Sequence, residues 1–290
     1  MERRSKITPI LLLAPAILIF VFIFVAPFIY LIFQSFWHYE TSYVSKQVFT
    51  LENYIKLFSD PYYWRIYWRT FRLSVISTLI TMILAYPISR MISRMPPGKK
   101  GLVTTLIALP MIGGGMIQAM GWMTMMMPYG AINGILLSLG IIKEKMTFLG
   151  TETGILIGLV QSFIPLMSLP LIASLGAIDP TLEDASKSLG ASPLRTFFEI
   201  ILPLSIPGAV SGMVLTFMAN LTMYVTPSIL GQGKIQVFGS FVYQQAISVG
   251  NWPFSSAFSL FFLLIMGVTA FLSSWITKSI QKSIYKGNEA

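Results

Sequence analysis

Six apolar segments, each about as long as a helix that crosses a membrane, constrain the fold of this chain more than any other feature. They lie near residues 10–35, 70–92, 102–126, 153–175, 204–226 and 256–279. A helix needs about 20 apolar residues to cross the hydrocarbon core of a bilayer. Hydrophobic residues make up 54% of the chain and charged residues only 11%, against about 25% charged residues in soluble domains. The sequence therefore predicts an all-α, polytopic integral membrane protein with six transmembrane helices.

Composition also excludes several kinds of chemistry. The 290 residues include no cysteine and one histidine, which excludes disulfides, thiol catalysis and cysteine-bound metals. The apolar segments hold no cluster of acidic residues that would bind a metal ion. No G-x-x-x-x-G-K-[ST] sequence is present, so the chain carries no P-loop for ATP. We therefore predict neither an enzyme nor a metal site.

The basic residues predict the orientation of the chain in the membrane. The net charge of +9 fits the excess of Lys and Arg that membrane proteins place in cytoplasmic loops better than it fits a nucleic-acid surface. An even number of spans puts both termini on one side, and that side holds the larger basic set. This set is Arg3, Arg4, Lys6, Arg90, Arg94, Lys99, Lys100, Lys187, Arg195, Lys278, Lys282 and Lys286. The opposite set is Lys46, Lys56, Arg65, Arg69, Lys143, Lys145 and Lys234. We expect cytoplasmic termini, a cytoplasmic insert at 176–203 and no nucleic-acid partner.

The apolar run after the basic N-terminus extends from Ile7 to about Phe36. This is far longer than the 7–15 residues of a signal-peptide core. It predicts an uncleaved first transmembrane helix. We divide the chain into 1–69, the first helix and a long outer loop; 70–279, a core of five helices; and 280–290, a cytoplasmic tail.

A polar, amphipathic insert separates the fourth and fifth apolar segments. Asp179-Pro180 and Ser192-Pro193 are typical helix starts, and Gly190 suits the left-handed position just past a helix end. Apolar residues recur at helical spacing in both halves; they are Leu182, Ala185, Leu189, Leu194, Phe197, Phe198, Ile201 and Leu202. The sequence predicts two short helices joined by a tight turn. Such a hairpin either lies at the membrane surface without a partner or is held by another protein.

The spacing within this insert resembles the EAA loop of type I ABC-importer permeases. That loop has Glu-Ala-Ala, three residues, Gly, nine residues and then Ile-x-Leu-Pro. Asp184-Ala-Ser186, Gly190 and Ile200-x-Leu-Pro203 match every interval, with Asp in place of Glu and Ser in place of the second Ala. The resemblance implies that the hairpin 179–203 is a coupling helix seated in a groove of an ATP-binding subunit. The residues implied in this coupling are Glu183, Asp184, Ala185, Ser186, Gly190, Ala191, Ile200, Leu202 and Pro203.

The same resemblance implies the partners and the function. A type I permease works with a second permease subunit, identical or different, with an ATPase dimer on the cytoplasmic side, with an extracytoplasmic solute-binding protein and with membrane lipid. This chain would bind no cofactor, because ATP and Mg belong to the partner ATPase. The implied role is a multi-pass permease subunit in the bacterial inner membrane that forms half of the translocation pathway for a small organic solute.

Three short strings narrow the resemblance to permeases of the spermidine/putrescine type. They are Phe49-Thr-Leu-Glu-Asn-Tyr54, Ala85-Tyr-Pro-Ile88 and Asn251-Trp-Pro-Phe254. Relatives that carry other small solutes share them. A polyamine is therefore the expected solute, and an opine, an amino-acid derivative or an organic anion is the alternative. An ion-coupled secondary transporter is a further alternative, but it would need a buried ionisable residue that the span cores lack.

Polar residues deep in the apolar segments are the candidates for the translocation pathway. They are Gln118, Gln161, Asn220, Thr222 and Tyr224. Asn220 and Tyr224 are four residues apart, which would place both on one face of a helix. The alternative is that these side chains join helices by hydrogen bonds. Because no Asp or Glu lies in a span core, a polyamine would rely on aromatic faces, on carbonyl groups, or on carboxylates of a partner permease.

Two further segments carry structural expectations. Gly113-Gly-Gly115 in the middle of the third span allows either close helix approach or a local break that lines a cavity. The aromatic group Tyr62–Trp68 at the end of the outer loop is either an interfacial belt or a docking surface for an external partner.

Overall fold

The structure is a computed structural model that describes residues 13, 15, 18–41 and 44–286, and side chains among them as far as residue 269. In chain order the helices are α1 (Leu18–Ser35), α2 (Glu52–Ser59), α3 (Pro61–Ser93), α4 (Pro97–Ile112), α5 (Gly115–Met126), α6 (Ala131–Ser138), α7 (Glu152–Gly176), α8 (Pro180–Ser188), α9 (Pro193–Thr196), α10 (Leu202–Thr222), α11 (Val225–Leu230), α12 (Phe238–Tyr243) and α13 (Trp252–Lys286). Two strands, β1 (His38–Thr41) and β2 (Val44–Lys46), pair antiparallel after α1. The basic residues Arg3, Arg4 and Lys6 lie outside the described residues.

The long helices confirm the predicted all-α membrane fold. Five helical runs in the described part are long and apolar enough to cross a membrane: α1, α3, α7, the run Pro193–Thr222 and the described part of α13. A bent pair, Pro97–Ile112 with Gly115–Ser138, makes a sixth if it is one span. The run Pro193–Thr222 joins α9 to α10 through a π-helical turn at Phe197–Ile201. In this turn the Leu202 N–H donates a hydrogen bond to the Phe197 carbonyl, five residues earlier. The next residue, Pro203, has no N–H to donate.

The second span begins earlier than the sequence predicts. Its helix α3 starts at Pro61 rather than near residue 70, and the Asp60 carboxylate accepts a hydrogen bond of 2.8 Å from the Tyr62 N–H. Proline at the first helical position and an acidic cap together form a strong helix start. The aromatic group Tyr62–Trp68 therefore lies on the first turns of α3. Its polar rings and arginines weaken the apolar signal, which is why hydropathy alone places the start too late.

The third span is broken at its glycine triplet. Gly114 has φ +79°, a left-handed conformation that favours glycine, and the helical segments on either side meet at 90°. Of the two expectations for Gly113-Gly-Gly115, the structure confirms the local break.

Packing divides the chain into two units. The first contains the residues up to Trp64 and Phe241–Leu272, and the second contains Arg65–Ser240 and the residues from Ser273. The last span thus packs with the first helix, whereas the sequence-based division grouped it with the core 70–279. The expected boundary at residues 69 and 70 falls inside α3.

In the first unit, two of the three strings that resemble spermidine/putrescine-type permeases supply side chains that bond to the backbone. The Asn53 side chain donates hydrogen bonds of 2.9 and 3.0 Å to the carbonyls of Ser35, the last residue of α1, and Trp37. The Asn251 carboxamide accepts a hydrogen bond of 3.0 Å from the Phe254 N–H and so caps α13. These strings have a structural role here, since buried backbone groups need such partners.

In the second unit, α7 and α10 pack closely through small residues. A Cβ at Gly208 would lie 2.8 Å from the Pro170 carbonyl oxygen, and one at Gly212 would lie 2.9 Å from the Met167 carbonyl oxygen. Glycines four apart on one face allow two membrane helices to approach closely. The hairpin that connects α7 to α10 is therefore attached at both ends to a tightly packed helix pair.

Candidate functional site

The hairpin between α7 and α10 has the local structure that its sequence predicts. Asp179 caps α8 by accepting a hydrogen bond of 2.9 Å from the Thr181 N–H, and Pro180 is the first helical residue. That bond favours the charged carboxylate and lowers the pKa of Asp179 from its ordinary value. Ser192 caps the second arm by accepting a bond of 3.3 Å from the Arg195 N–H. Both predicted helix starts are confirmed.

Gly190 forms the turn between the two arms. Its φ is +80°, and the N–H groups of Gly190 and Ala191 bond to the carbonyls of Lys187 and Ser186 at 2.9 and 3.1 Å. This pattern ends a helix with a left-handed glycine. The predicted position of Gly190 just past the end of α8 is confirmed.

The inward side of the hairpin is fully engaged with its own chain. Glu183 accepts hydrogen bonds from the guanidinium groups of Arg90, at 2.6 Å, and Arg94. Ser186, which is buried, shares a hydrogen bond of 2.8 Å with the Thr196 hydroxyl of the second arm. These contacts fix the angle between the arms and bind α8 to α3.

The outward side of the hairpin is apolar and bare. The exposed fraction is 88% for Leu189, 70% for Leu194 and 60% for Phe198. Asp184 is also exposed and pairs with Lys187 at 3.2 Å. Exposed large apolar residues are typical of a surface that binds another protein or a membrane. We call Asp184, Leu189, Leu194 and Phe198 the docking face.

The implied coupling residues are distributed over both sides of the hairpin. Glu183 and Ser186 point to the protein interior, while Asp184, Ala185 and Gly190 are exposed. Ala191, in the turn, is half-buried, as are Ile200, Leu202 and Pro203, where the hairpin joins α10. Sequence reasoning missed the role of Arg90 and Arg94, which it counted only as cytoplasmic charges. Their spacing of four residues, one helical turn, was the available signal.

The five pathway candidates lie in different environments in the described structure. Asn220 is only 4% exposed, and its side chain bonds to the hydroxyls of Ser77 at 3.2 Å and Thr78 at 3.4 Å on α3. This arrangement favours the alternative, interhelical hydrogen bonding. Gln118 and Gln161 are half-buried, and Gln161 bonds to the neighbouring Ser162 hydroxyl.

The expected common face of Asn220 and Tyr224 does not exist. Helix α10 ends at Thr222, and Met223 has an extended backbone with ψ 128°. Tyr224 therefore belongs to the start of the next helix, α11. Spacing of four residues places side chains together only within a continuous helix. Thr222 and Tyr224 are both exposed and belong to separate elements.

A second ion cluster lies at the other end of α3. Arg69 Nε lies 3.3 Å from Glu152, the first residue of α7, and Arg72 also pairs with this carboxylate. Arg69 further donates to the Gln236 carbonyl at 3.2 Å. In the described residues no group of three or more His, Asp or Glu side chains could hold a metal ion.

Comparison with known proteins extends the resemblance over nearly the whole chain. The family model for the binding-protein-dependent transport system inner membrane component matches residues 5–286. The spermidine/putrescine transport system permease protein PotB of Haemophilus influenzae is 31% identical over 81% of this chain and 82% of its own length. The sulfoquinovosyl glycerol transport system permease protein SmoG of Agrobacterium fabrum is 26% identical over 93% of this chain and 90% of its own.

The fold also matches a solved structure. A bacterial ABC transporter that imports the acidic polysaccharide alginate contains a chain that is 19% identical, with a TM-score of 0.75 over 96% of this chain and 97% of that one. At this identity the match shows the fold, which is that of a type I importer permease.

Proposed function

This chain belongs to the inner-membrane-component family of binding-protein-dependent transport systems, and from this premise we propose that its solute is a polyamine of the spermidine and putrescine type. It is a permease subunit of an ABC importer, a multi-pass inner-membrane protein that works with a separate ATPase and a solute-binding protein. The match to PotB, 31% identical over most of both chains, supports the choice of solute.

The ATPase binds the docking face in this proposal. The carrying observation is the contrast within the hairpin: the inward polar groups are bonded within the chain, whereas Leu189, Leu194 and Phe198 are largely exposed. An amphipathic helix with a bare apolar face suits a hydrophobic groove on a partner. The charged pair of Asp184 and Lys187 at its edge sets the register of docking.

The remaining assignments follow from the same proposal. Both termini face the cytoplasm, because the hairpin must reach an ATPase that binds ATP and Mg there. A second permease, identical or different, supplies the other half of the pathway. Gln118, Gln161, Asn220, Thr222 and Tyr224 stay as predicted pathway residues, with Thr222 and Tyr224 favoured by their exposure.

Uptake by the complete importer tests the solute. The chain is co-produced with its partner permease, ATPase and binding protein, purified through a tag on this chain, and reconstituted in liposomes. We expect ATP-dependent uptake of radiolabelled spermidine or putrescine. Recovery of the ATPase without any polyamine uptake would leave the permease role standing and disprove the solute.

A second measurement in the same experiment tests the docking face. Leu194→Asp places a charge on the face and should greatly reduce ATPase recovery. Leu139→Asp is the matched control, since Leu139 is equally exposed at the end of α6. Equal recovery for both variants would show that the ATPase does not bind this face.

One observation favours an anionic solute as the second candidate. Two arginines, Arg69 and Arg72, share the single carboxylate of Glu152, so this cluster carries net positive charge. A polycation close to it would be repelled, and an anion would be attracted. Competition of spermidine uptake by organic anions, or direct uptake of such anions, separates the two candidates.

A further inference from the structure

We propose that the coupling hairpin drives α3 through a clamp formed by Glu183, Arg90 and Arg94, and that these three are positioning residues for ATP coupling. The inference rests on the proposed docking of an ATPase on the outward side of the same hairpin. It assigns the inward carboxylate a different task from that of its neighbour Asp184.

The clamp uses both oxygens of a single carboxylate. Arg90 Nη2 bonds to one Glu183 oxygen at 2.6 Å, and Arg94 Nη2 bonds to the other. Arg94 also donates through Nη1 to the Ile178 carbonyl at 3.2 Å, at the end of the segment that enters α8. Arg90 lies in the last turn of α3 and Arg94 directly follows its last residue, Ser93, so the clamp joins the hairpin to the end of α3.

Partial burial makes this clamp stiffer than the other ion pairs of the hairpin. The Glu183 side chain is 18% exposed, whereas Asp184 and Lys187 form their pair in solvent. Exposed pairs contribute little, and charge-assisted bonds shielded from water contribute more. Arg90 Nη1 and Arg94 Nε are buried without a hydrogen-bond partner in the described part of the chain. Opening the clamp would leave two neighbouring cations without their counter-ion, which resists opening.

A third residue, Tyr86 on α3, contacts the second arm of the hairpin. Tyr86, one turn before Arg90, packs its ring edge-on against Phe197 at 5.6 Å and shares a hydrogen bond of 2.7 Å with Ser205. The stripe formed by Tyr86, Arg90 and Arg94 therefore contacts both arms. The chain connects the hairpin covalently to α7 and α10, and this stripe adds a third helix to the moving body.

The far end of α3 is tied to α7 in the same way. There Arg69 and Arg72 hold Glu152 at the first residue of α7. With 33 residues, α3 is about 50 Å long at 1.5 Å per residue. Because one end of α3 is tied to the hairpin and the other to α7, this helix is expected to follow a displacement of the hairpin.

The experiment follows α3 directly in the assembled importer. A single cysteine replaces Leu79, an exposed residue near the middle of α3, in this cysteine-free chain. Its rate of reaction with a maleimide is measured without nucleotide and after trapping with ATP and vanadate. We expect trapping to change the rate, and Glu183→Gln to reduce that change about two- to thirtyfold, as residues that transmit coupling do.

Three comparisons separate transmission from folding and from docking. Glu183→Arg combined with Arg94→Glu restores one opposite-charge contact and should recover much of the rate change. Asp184→Asn should lower ATPase recovery rather than the change per bound ATPase. Glu144→Gln, an exposed carboxylate on another loop, is the silent control.

Two outcomes overturn the clamp. One is that trapping changes the labelling rate in Glu183→Gln as much as in the unmodified importer. The other is that trapping changes the labelling rate in neither importer. If Glu183→Gln assembles poorly, Arg94→Lys, which keeps the charge but not the planar fork, takes its place under the same criteria. Loss of ATPase binding by the unmodified chain would instead contradict the proposed function.

Discussion

At the scale of single residues, Glu183 and Asp184 show how adjacent carboxylates acquire opposite environments. Successive residues of an α-helix point about 100° apart, so Glu183 meets two arginines at the end of α3 while Asp184 faces solvent. The Asp184 pair with Lys187 is local, and the Glu183 partners lie 89 and 93 residues earlier. The motif spacing alone marks both as coupling residues and does not distinguish their tasks.

Gly190 carries a prediction that depends on the backbone alone. Its φ is +80°, and an added Cβ would meet nothing within 4 Å. Gly190→Val should therefore cost on the order of 1–2 kcal/mol through left-handed strain and lower transport-coupled ATP hydrolysis. Gly190→Asn, which tolerates this conformation, should retain most of the activity. Normal coupling with valine would show that the turn angle is unimportant.

Asn220 carries a prediction that separates packing from transport. Its two hydrogen bonds to α3 contribute about 0.6 kcal/mol each in membrane proteins. Asn220→Leu should thus lower the free energy of unfolding in detergent by about 1 kcal/mol. Thr222→Ala is the control, because in the described part of the chain the Thr222 hydroxyl bonds to carbonyls of its own helix, α10. An unchanged stability together with altered solute selectivity would favour a pathway role for Asn220.

At the scale of elements, the sequence predicts features that depend on adjacent residues better than features that depend on distant packing. The caps at Asp179 and Ser192 and the turn at Gly190 follow from the preferences of adjacent residues, and the structure confirms them. The end of α10 at Thr222 has no comparable signal, because the apolar sequence continues past it. The start of α3 was obscured for the opposite reason, since its aromatic first turns are not apolar enough.

The glycine break in the third span gives the element-scale prediction. Gly114 has φ +79° with open space around it, so Gly114→Ala should strain the break by about 1–2 kcal/mol. Gly121→Ala is matched, since Gly121 lies within α5, also in open space, and alanine favours a helix by about 1 kcal/mol. The thermal unfolding temperature of the purified chain should therefore fall for Gly114→Ala and rise for Gly121→Ala. A stabilised Gly114→Ala would mean that the span prefers to be straight.

At the scale of the whole molecule, that break decides the topology. If the bent pair of α4 with α5 and α6 crosses the membrane, the chain has six spans and both termini share a side. If the pair re-enters on the side it left, five helices cross and the termini lie on opposite sides. The basic loops favour six spans, because re-entry would move the basic coupling hairpin outside.

Single-cysteine labelling distinguishes these topologies, since the chain itself has no cysteine. Ser138 and Ser188 are a matched pair: each ends its helix, is exposed, and donates a hydrogen bond of 2.9 Å to a backbone carbonyl of that helix. With six spans and a cytoplasmic N-terminus, a membrane-impermeant maleimide added to intact cells with a permeabilised outer envelope should label Ser138→Cys and not Ser188→Cys. Exposed Val48→Cys should be labelled as well. Labelling at 48 and 188 but not at 138 would show a re-entrant third segment, and labelling at 188 alone would show an inverted chain. Either of these patterns would also place the docking face on the wrong side for an ATPase, so the same three cysteines test the topology and the site that depends on it.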